Sequence, residues 1–471
     1  MVFALKELLA AEPGDAYALH ERHLNAQVPR LLRTLGTDAD YARAEGAYLW
    51  DSAGQRYLDL LSGFGLFGVG RNHPVIRQAL HDVLDADLAD MVQFDCPLLP
   101  GLLARELLAL APGMERLYWC NSGSEAVEAA LKFARGATGR PRVLYASHAY
   151  HGLTTGALSV NGNAEFRKGF GPLLPDTVVP FGDLDALRKQ LRRGDVAALL
   201  VEPIQGKGVH IPPPGFLAEA ARTLHAKGAL LICDEVQTGL GRTGKMFAYE
   251  HELLGQGGEV DADVLPDIVT VAKALSGGFV PVGATMVRAG IFERVYSSLD
   301  RVFVHASTFA GNASAMAAGL ATLAVLRDED LVANSARRGE QLRASLADMA
   351  SRYEFISDVR GRGLMVGFEF GRPRSRKLQA TWAAMRVVRK GLFAQMVVAP
   401  LYHDHRIITQ VAGDHMDVMK LLPPLMVGDD ELTWFTEAFA EVMDDAHRGV
   451  GLTGTFARRM IGNAVKARQR A

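Results

Sequence analysis

Six short apolar runs recur in the middle of this chain, at 116–120, 143–146, 196–201, 229–233, 268–272 and 283–287, with helix-like spans between them. Runs that are continuously apolar, without polar alternation, read as strands covered on both faces. Strands of that kind, separated by helices, form a mostly parallel sheet lying between helical layers, so the chain is α/β. Helical spans at 75–89 and 98–110 lead into the sheet, and an alanine-rich helix starting at Ala313 leads out of it. The large domain is therefore expected over 76–325.

At 471 residues the chain has room for a second domain. A charged helix over 334–349 and a strand over 363–370 predict a smaller α+β domain running to about residue 450. Residues 1–75 are expected to join it. Within them Tyr17, Leu19, Leu24, Val28, Leu31, Leu32 and Leu35 recur at helical spacing, which predicts one helix over 16–35 ending at Gly36. Two strand-like runs then flank a turn at 51–54, a hairpin pattern. Residues 451–471 carry Arg458, Arg459, Lys466, Arg468 and Arg470 and no acid, so a solvated basic tail is expected there.

Composition narrows the partners. The chain is 49% hydrophobic and 22% charged with a formal charge of −2, which points neither to disorder nor to nucleic-acid binding. No apolar run reaches the roughly 18–20 residues of a membrane span. The N-terminus carries acids and lacks the basic region of a secretory signal. Cys96, Cys120 and Cys233 are odd in number and widely spaced, which fits a reducing compartment better than disulfides or a metal site. The expectation is a cytoplasmic protein that binds no metal.

Chemistry enters at the ends of two apolar runs. Asp234 follows the run at 229–233 and Lys273 the run at 268–272, 39 positions later (273 minus 234). On neighbouring strands of one α/β sheet the two converge at the carboxyl edge, where ligands bind. A lysine closing a strand is more often an edge residue with its ammonium in water. Buried in a dry site it is instead a nucleophile with a lowered pKa. Pyridoxal phosphate needs that pair, a lysine for its aldehyde and a carboxylate for its pyridine nitrogen.

Other motifs fit the same ligand. At 120–135 a strand end and a small-residue turn run into a helix, where Gly123 permits close approach and the amide of Ser124 helps to open a phosphate site. The same residues would also serve as an ordinary helix cap. Tyr150, in the segment 148–152, could stack on a flat ring; none of the histidines there is assigned a proton-transfer role. Val236 shares a side of its strand with Asp234 and would press on the ring, while Gln237 could reach a phenolic oxygen. Thr308 could offer a hydroxyl to a phosphate. Phe64 and Phe67, in the glycine-rich stretch 62–70, either pack a loop into the core or wall an apolar substrate channel.

Together the segments 121–126, 148–152, 201–206, 234–244, 272–278 and 307–312 resemble the class III pyridoxal-phosphate aminotransferases, most of all their acetylornithine, ornithine and putrescine branch. The resemblance covers about residues 40–445. It implies the type I fold of pyridoxal-phosphate transferases and a homodimer with active sites at the subunit interface. It also implies a ping-pong transfer of an amino group from a donor amino acid or amine to a carbonyl acceptor. Position by position, it makes Lys273 the Schiff-base lysine and Asp234 the partner of the pyridine nitrogen. Tyr150 and Val236 would sandwich the ring, with Gln237 at the phenolic oxygen. Gly123 and Ser124 would bind phosphate, joined by Thr308 from the other subunit.

Two positions depart from that branch. Its glutamate after the 201–206 segment is Lys207 here, and the arginine ahead of the C-terminal Pro-Pro-Leu is Lys420. Lysine lacks the planar fork with which arginine grips a carboxylate. The candidate substrate residues are accordingly Phe64, Phe67, Glu202, Lys207 and Lys420; either the acceptor is a hydrophobic aldehyde or ketone, or a carboxylate is held by some other residue. The alternatives are an ω-aminotransferase of the ornithine type, an aminomutase of the glutamate-1-semialdehyde type (which usually has Met where Gln237 stands), and a non-catalytic protein of the same fold.

Overall fold

The computed structural model describes residues 3–11, 16–92, 94–253, 261, 263–376, 378–380, 382–383, 391–412 and 417–448. The expected basic tail lies outside them. The large sheet has seven strands in the order Arg116–Cys120, Gly283–Val287, Ile268–Val271, Leu230–Asp234, Val196–Val201, Arg142–Ala146, Thr177–Val179. Gly283–Val287 runs antiparallel to both its neighbours, and the remaining pairings are parallel. Its central strands are buried along their whole length, as continuous apolar runs require.

Several expected boundaries move. Thr177–Val179 is an edge strand that the apolar pattern does not reveal, since three residues carry no period. The helix expected over 16–35 is two helices, Ala16–His23 and Gln27–Leu35. Between them the side chain of Asn25 accepts from the Gln27 amide at 3.1 Å, a local bond that competes with helix continuation. The helix expected over 75–89 ends at Asp85, and Asp87 lies in the left-handed region at φ 47°. The helix expected over 334–349 runs from Leu331 to Arg352.

Two smaller sheets accompany the large one. Tyr41–Glu45, Tyr48–Asp51 and Arg56–Asp59 pair antiparallel, and Ile407–Ile408 joins them parallel to Arg56–Asp59. Ile356–Arg362, Met365–Phe370, Val418–Leu421 and Gln410–Ala412 form an antiparallel sheet in that order. Backbone bonds stitch the segment after residue 59 to the far end of the chain: Leu422 N donates to Leu60 O at 2.7 Å and Leu425 N to Gly68 O at 2.7 Å.

The helix Leu331–Arg352 lies directly on the turn before Met365–Phe370. A Cβ at Gly339 would fall on the backbone carbonyl of Gly363, which cannot swing aside as a side chain could. Gly339→Ala is expected to destabilise the protein by about 1–3 kcal/mol through overpacking. Chemical denaturation monitored by circular dichroism tests this, and an unchanged midpoint contradicts the close seating. Among the described residues no helix is long and apolar enough to cross a membrane.

Candidate active site

Asp234 ends its strand opposite Thr270 of the neighbouring strand, and Lys273 follows that second strand by two residues. The carboxylate of Asp234 is buried and fully engaged. Its Oδ1 accepts from Thr270 Oγ1 at 3.1 Å and from Val236 N at 3.0 Å, while Oδ2 lies 2.6 Å from His151 Nδ1. Lys273 sits at φ 36°, a backbone state that costs a side-chain-bearing residue of order 1–3 kcal/mol. Its amine is desolvated, which lowers its pKa; the negative charges of Asp234 and Glu202 oppose the shift.

The helix Gly123–Thr138 begins at the same edge. Ser122 Oγ caps it by accepting from Glu125 N at 3.2 Å, which leaves the first-turn amides of Gly123 and Ser124 facing the site. A Cβ at Gly123 would lie 2.8 Å from Val236 Cγ1, so the approach there depends on glycine. Ser124 Oγ also accepts from Leu153 N at 3.2 Å and thereby fixes the loop that carries Tyr150 and His151.

These groups open onto one cavity of about 900 Å³. Lys273, Asp234, Gly123, Ser124, Tyr150, Val236 and Gln237 all line it, as do Phe64, Glu202, Lys207 and Lys420. Two expected residues do not. Phe67 lies behind the lysine turn, with the Arg71 guanidinium 3.9 Å from its ring centroid and Gly278 against its edge, so it packs the turn instead of walling a channel. Thr308 is exposed and outside the cavity of a single chain, although its neighbour Ser307 accepts from Asn121 Nδ2 at 2.8 Å.

The remaining candidates have specific partners. Glu202 accepts from the amides of Gly206 (2.8 Å) and Tyr150 (3.1 Å), and burial raises its pKa. It is a brace between two loops. Gln237 Nε2 donates to Phe64 O at 2.9 Å, and Lys420 Nζ donates to Gly206 O at 2.6 Å and to Gln237 Oε1 at 3.2 Å. The Lys207 ammonium stands 5.5 Å from the Phe166 ring centroid, and Phe166 meets Tyr150 edge-on at 5.6 Å.

Two residues beyond the expected set, His151 and Phe166, join the site. His151 belongs to the segment that supplies Tyr150, and its buried Nε2 has no partner. Phe166 follows in a short helix, Ala164–Arg167, where nothing in the local pattern marks it.

The cavity fits pyridoxal phosphate on these observations: a helix N-terminus opened by a glycine, a desolvated lysine amine, a buried carboxylate held by three donors, and an aromatic beside them. Thr270, Val236 and His151 would keep Asp234 aimed at a ring nitrogen. Gly123 and Ser124 would take the phosphate.

The family described as Aminotransferase class-III matches residues 34–443. Aminotransferase PigE of Serratia sp. (strain ATCC 39006) is 36% identical over 93% of this chain, and the chain spans only 54% of that protein's length. The ornithine aminotransferase of Toxoplasma gondii has a similar structure, with TM-score 0.79 and 28% identity over 95% of this chain and 99% of its own. An amine transaminase from an uncultivated Pseudomonas species, solved in its PLP-bound form, gives TM-score 0.72 and 29% identity over 87% and 95%.

Proposed function

Because the chain belongs to the class-III aminotransferases, pyridoxal-phosphate enzymes of fold type I, we propose that it passes an amino group from a donor amino acid or amine to a hydrophobic aldehyde or ketone. The observation that carries the choice of acceptor is the wall of the cavity. Phe64, Leu66, Phe166, Phe279, Val280 and Val411 line it, and among the described residues no arginine does. A carboxylate-bearing acceptor would leave those rings against a charge and find only lysines to grip it.

Pyridoxal phosphate, when bound, supplies an aldehyde that exchanges nitrogen with the substrates and a ring that draws off an electron pair. The protein supplies the rest. Lys273, whose pKa burial lowers, would take the proton from the substrate carbon and hold it within the site. Asp234 would hold a positive charge at the ring nitrogen. Val236 and Tyr150 would flank the ring. Ping-pong order follows, because one cavity must take donor and acceptor in turn.

We assign the working form as a homodimer. Phe94 and Phe303, whose rings meet edge-on at 6.2 Å, are 92% and 68% exposed, and Leu299 and Phe309 are exposed as well. A partner covering that surface would bring Thr308 to the cavity of the second copy. Three cysteines, each unpaired, support a cytoplasmic location.

The test is acceptor competition after loading with a donor amino acid. A medium-chain aldehyde is expected to exceed 2-oxoglutarate and N-acetylornithine by at least about tenfold in kcat/KM, the order of discrimination a well-fitted apolar pocket provides. A preference for either of the latter removes the hydrophobic-acceptor reading and favours an ornithine-type enzyme.

A further inference from the structure

We propose that Lys420 is a positioning residue that clamps the side chain of Gln237 in one amide orientation and, through it, holds the Phe64 turn at the mouth of the cavity. The proposal rests on the cavity being a pyridoxal-phosphate site and is independent of which acceptor is used.

The two ends of an amide side chain are alike in shape, and only their partners tell them apart. The Lys420 ammonium can only donate, so the atom 3.2 Å from its Nζ is Oε1 of Gln237. The Phe64 carbonyl can only accept, so the atom 2.9 Å from it has to be Nε2. Both partners demand the same flip. One Nε2 hydrogen is then left over, available for an oxygen on the cofactor ring. Were the amide reversed, a carbonyl would stand there and repel such an oxygen.

The clamp is anchored at both ends. Lys420 lies inside its sheet, paired with Gly367 and Gln410, and is 4% exposed. Its second bond goes to the backbone of Gly206, whose own amide is held by Glu202. A side chain at 206 would collide with Gln237 Oε1, so glycine is needed for the amide to sit there. At the other end Ser62, Gly63, Phe64 and Gly65 have φ of 44°, 63°, 62° and 88°. Four successive left-handed residues are a strained turn that persists only where the surroundings hold it.

A grip on substrate carboxylate is the competing role for this lysine. Both of its bonds go to neutral oxygens of the protein. The charged groups around it are Lys273 and Arg242, which lower its pKa, and Glu202, which opposes them; burial is the largest influence and takes the pKa to about 7. Burial and two neighbouring cations disfavour its ammonium, and its bonds are already taken up by protein oxygens. As a neutral amine it still has two N–H donors for its two acceptors, so the clamp survives deprotonation.

The readout is the visible absorbance of the pyridoxal-phosphate-loaded protein against pH, with no acceptor present. Losing an N–H directed at the ring oxygen makes proton uptake by the chromophore easier, so K420M and Q237L are each expected to raise the midpoint by about one pH unit. The double variant K420M/Q237L is expected to shift no further than either single one, because the two residues act as a unit. K420R keeps the donors and is expected to stay within about 0.3 unit of wild type. Additive shifts in the double variant overturn the clamp, as does K420R shifting as far as K420M. Should K420M fail to fold, Q237L decides alone, since an unshifted midpoint there overturns the proposal. Failure of the aldehyde assay leaves this test intact, whereas a wild-type protein that develops no visible band sinks the cofactor reading and the clamp with it.

Discussion

Lys273→Ala is expected to reduce turnover by about 10⁴-fold or more, since the proposed mechanism gives this one amine both the covalent link to the cofactor and the proton transfer. The variant should still fold. Lys273 is held at φ 36°, so alanine inherits the strained backbone, while the buried amine is no longer there to be desolvated. Single-turnover absorbance with a donor amino acid measures the loss. Borohydride treatment of the loaded wild-type protein, followed by peptide mapping, should place the cofactor on Lys273. Fixation at any other lysine, Lys420 in the same cavity included, overturns the assignment.

The second large effect is expected at Asp234. Asp234→Asn keeps the shape and the bonds from Thr270 and Val236 but removes the charge that a protonated ring nitrogen requires. Turnover should fall by about 10²–10³-fold, the scale on which one preorganised electrostatic partner contributes. His151 Nδ1 faces Oδ2 at 2.6 Å, so the amide also disturbs that histidine, and the cofactor should be retained less tightly. Half-reaction rates and cofactor dissociation report the two consequences separately. A loss under about tenfold would mean that the carboxylate does not meet the ring, whatever else the cavity binds.

The parts of the site that could be read in advance are those that sit at the end of something periodic. Asp234 and Lys273 each terminate an apolar run, and parallel pairing of those runs brings them together. Gly123 stands where a strand gives way to a helix. What could not be read depends on distance across the fold. His151 meets its carboxylate 83 positions away, and Lys420, in an antiparallel strand, meets Gln237 183 positions away. Composition cannot register that. Phe64 and Phe67 look equivalent in the sequence, three residues apart in one glycine-rich stretch. The left-handed turn separates them, turning Phe64 toward the cavity, where it is 55% exposed, and setting Phe67 behind the lysine. Backbone sign, not residue type, makes the difference there.

The same seam bears on how the molecule is made. Leu58 pairs with Ile407 across 349 positions (407 minus 58), and Leu60 and Gly68 receive their backbone bonds from Leu422 and Leu425. On a ribosome those bonds can form only after residues 407–425 have emerged, when the central strands are already outside. The enzyme thus gains its lysine early and its entrance last, and a nascent chain stalled short of residue 407 would carry an open, unfinished pocket.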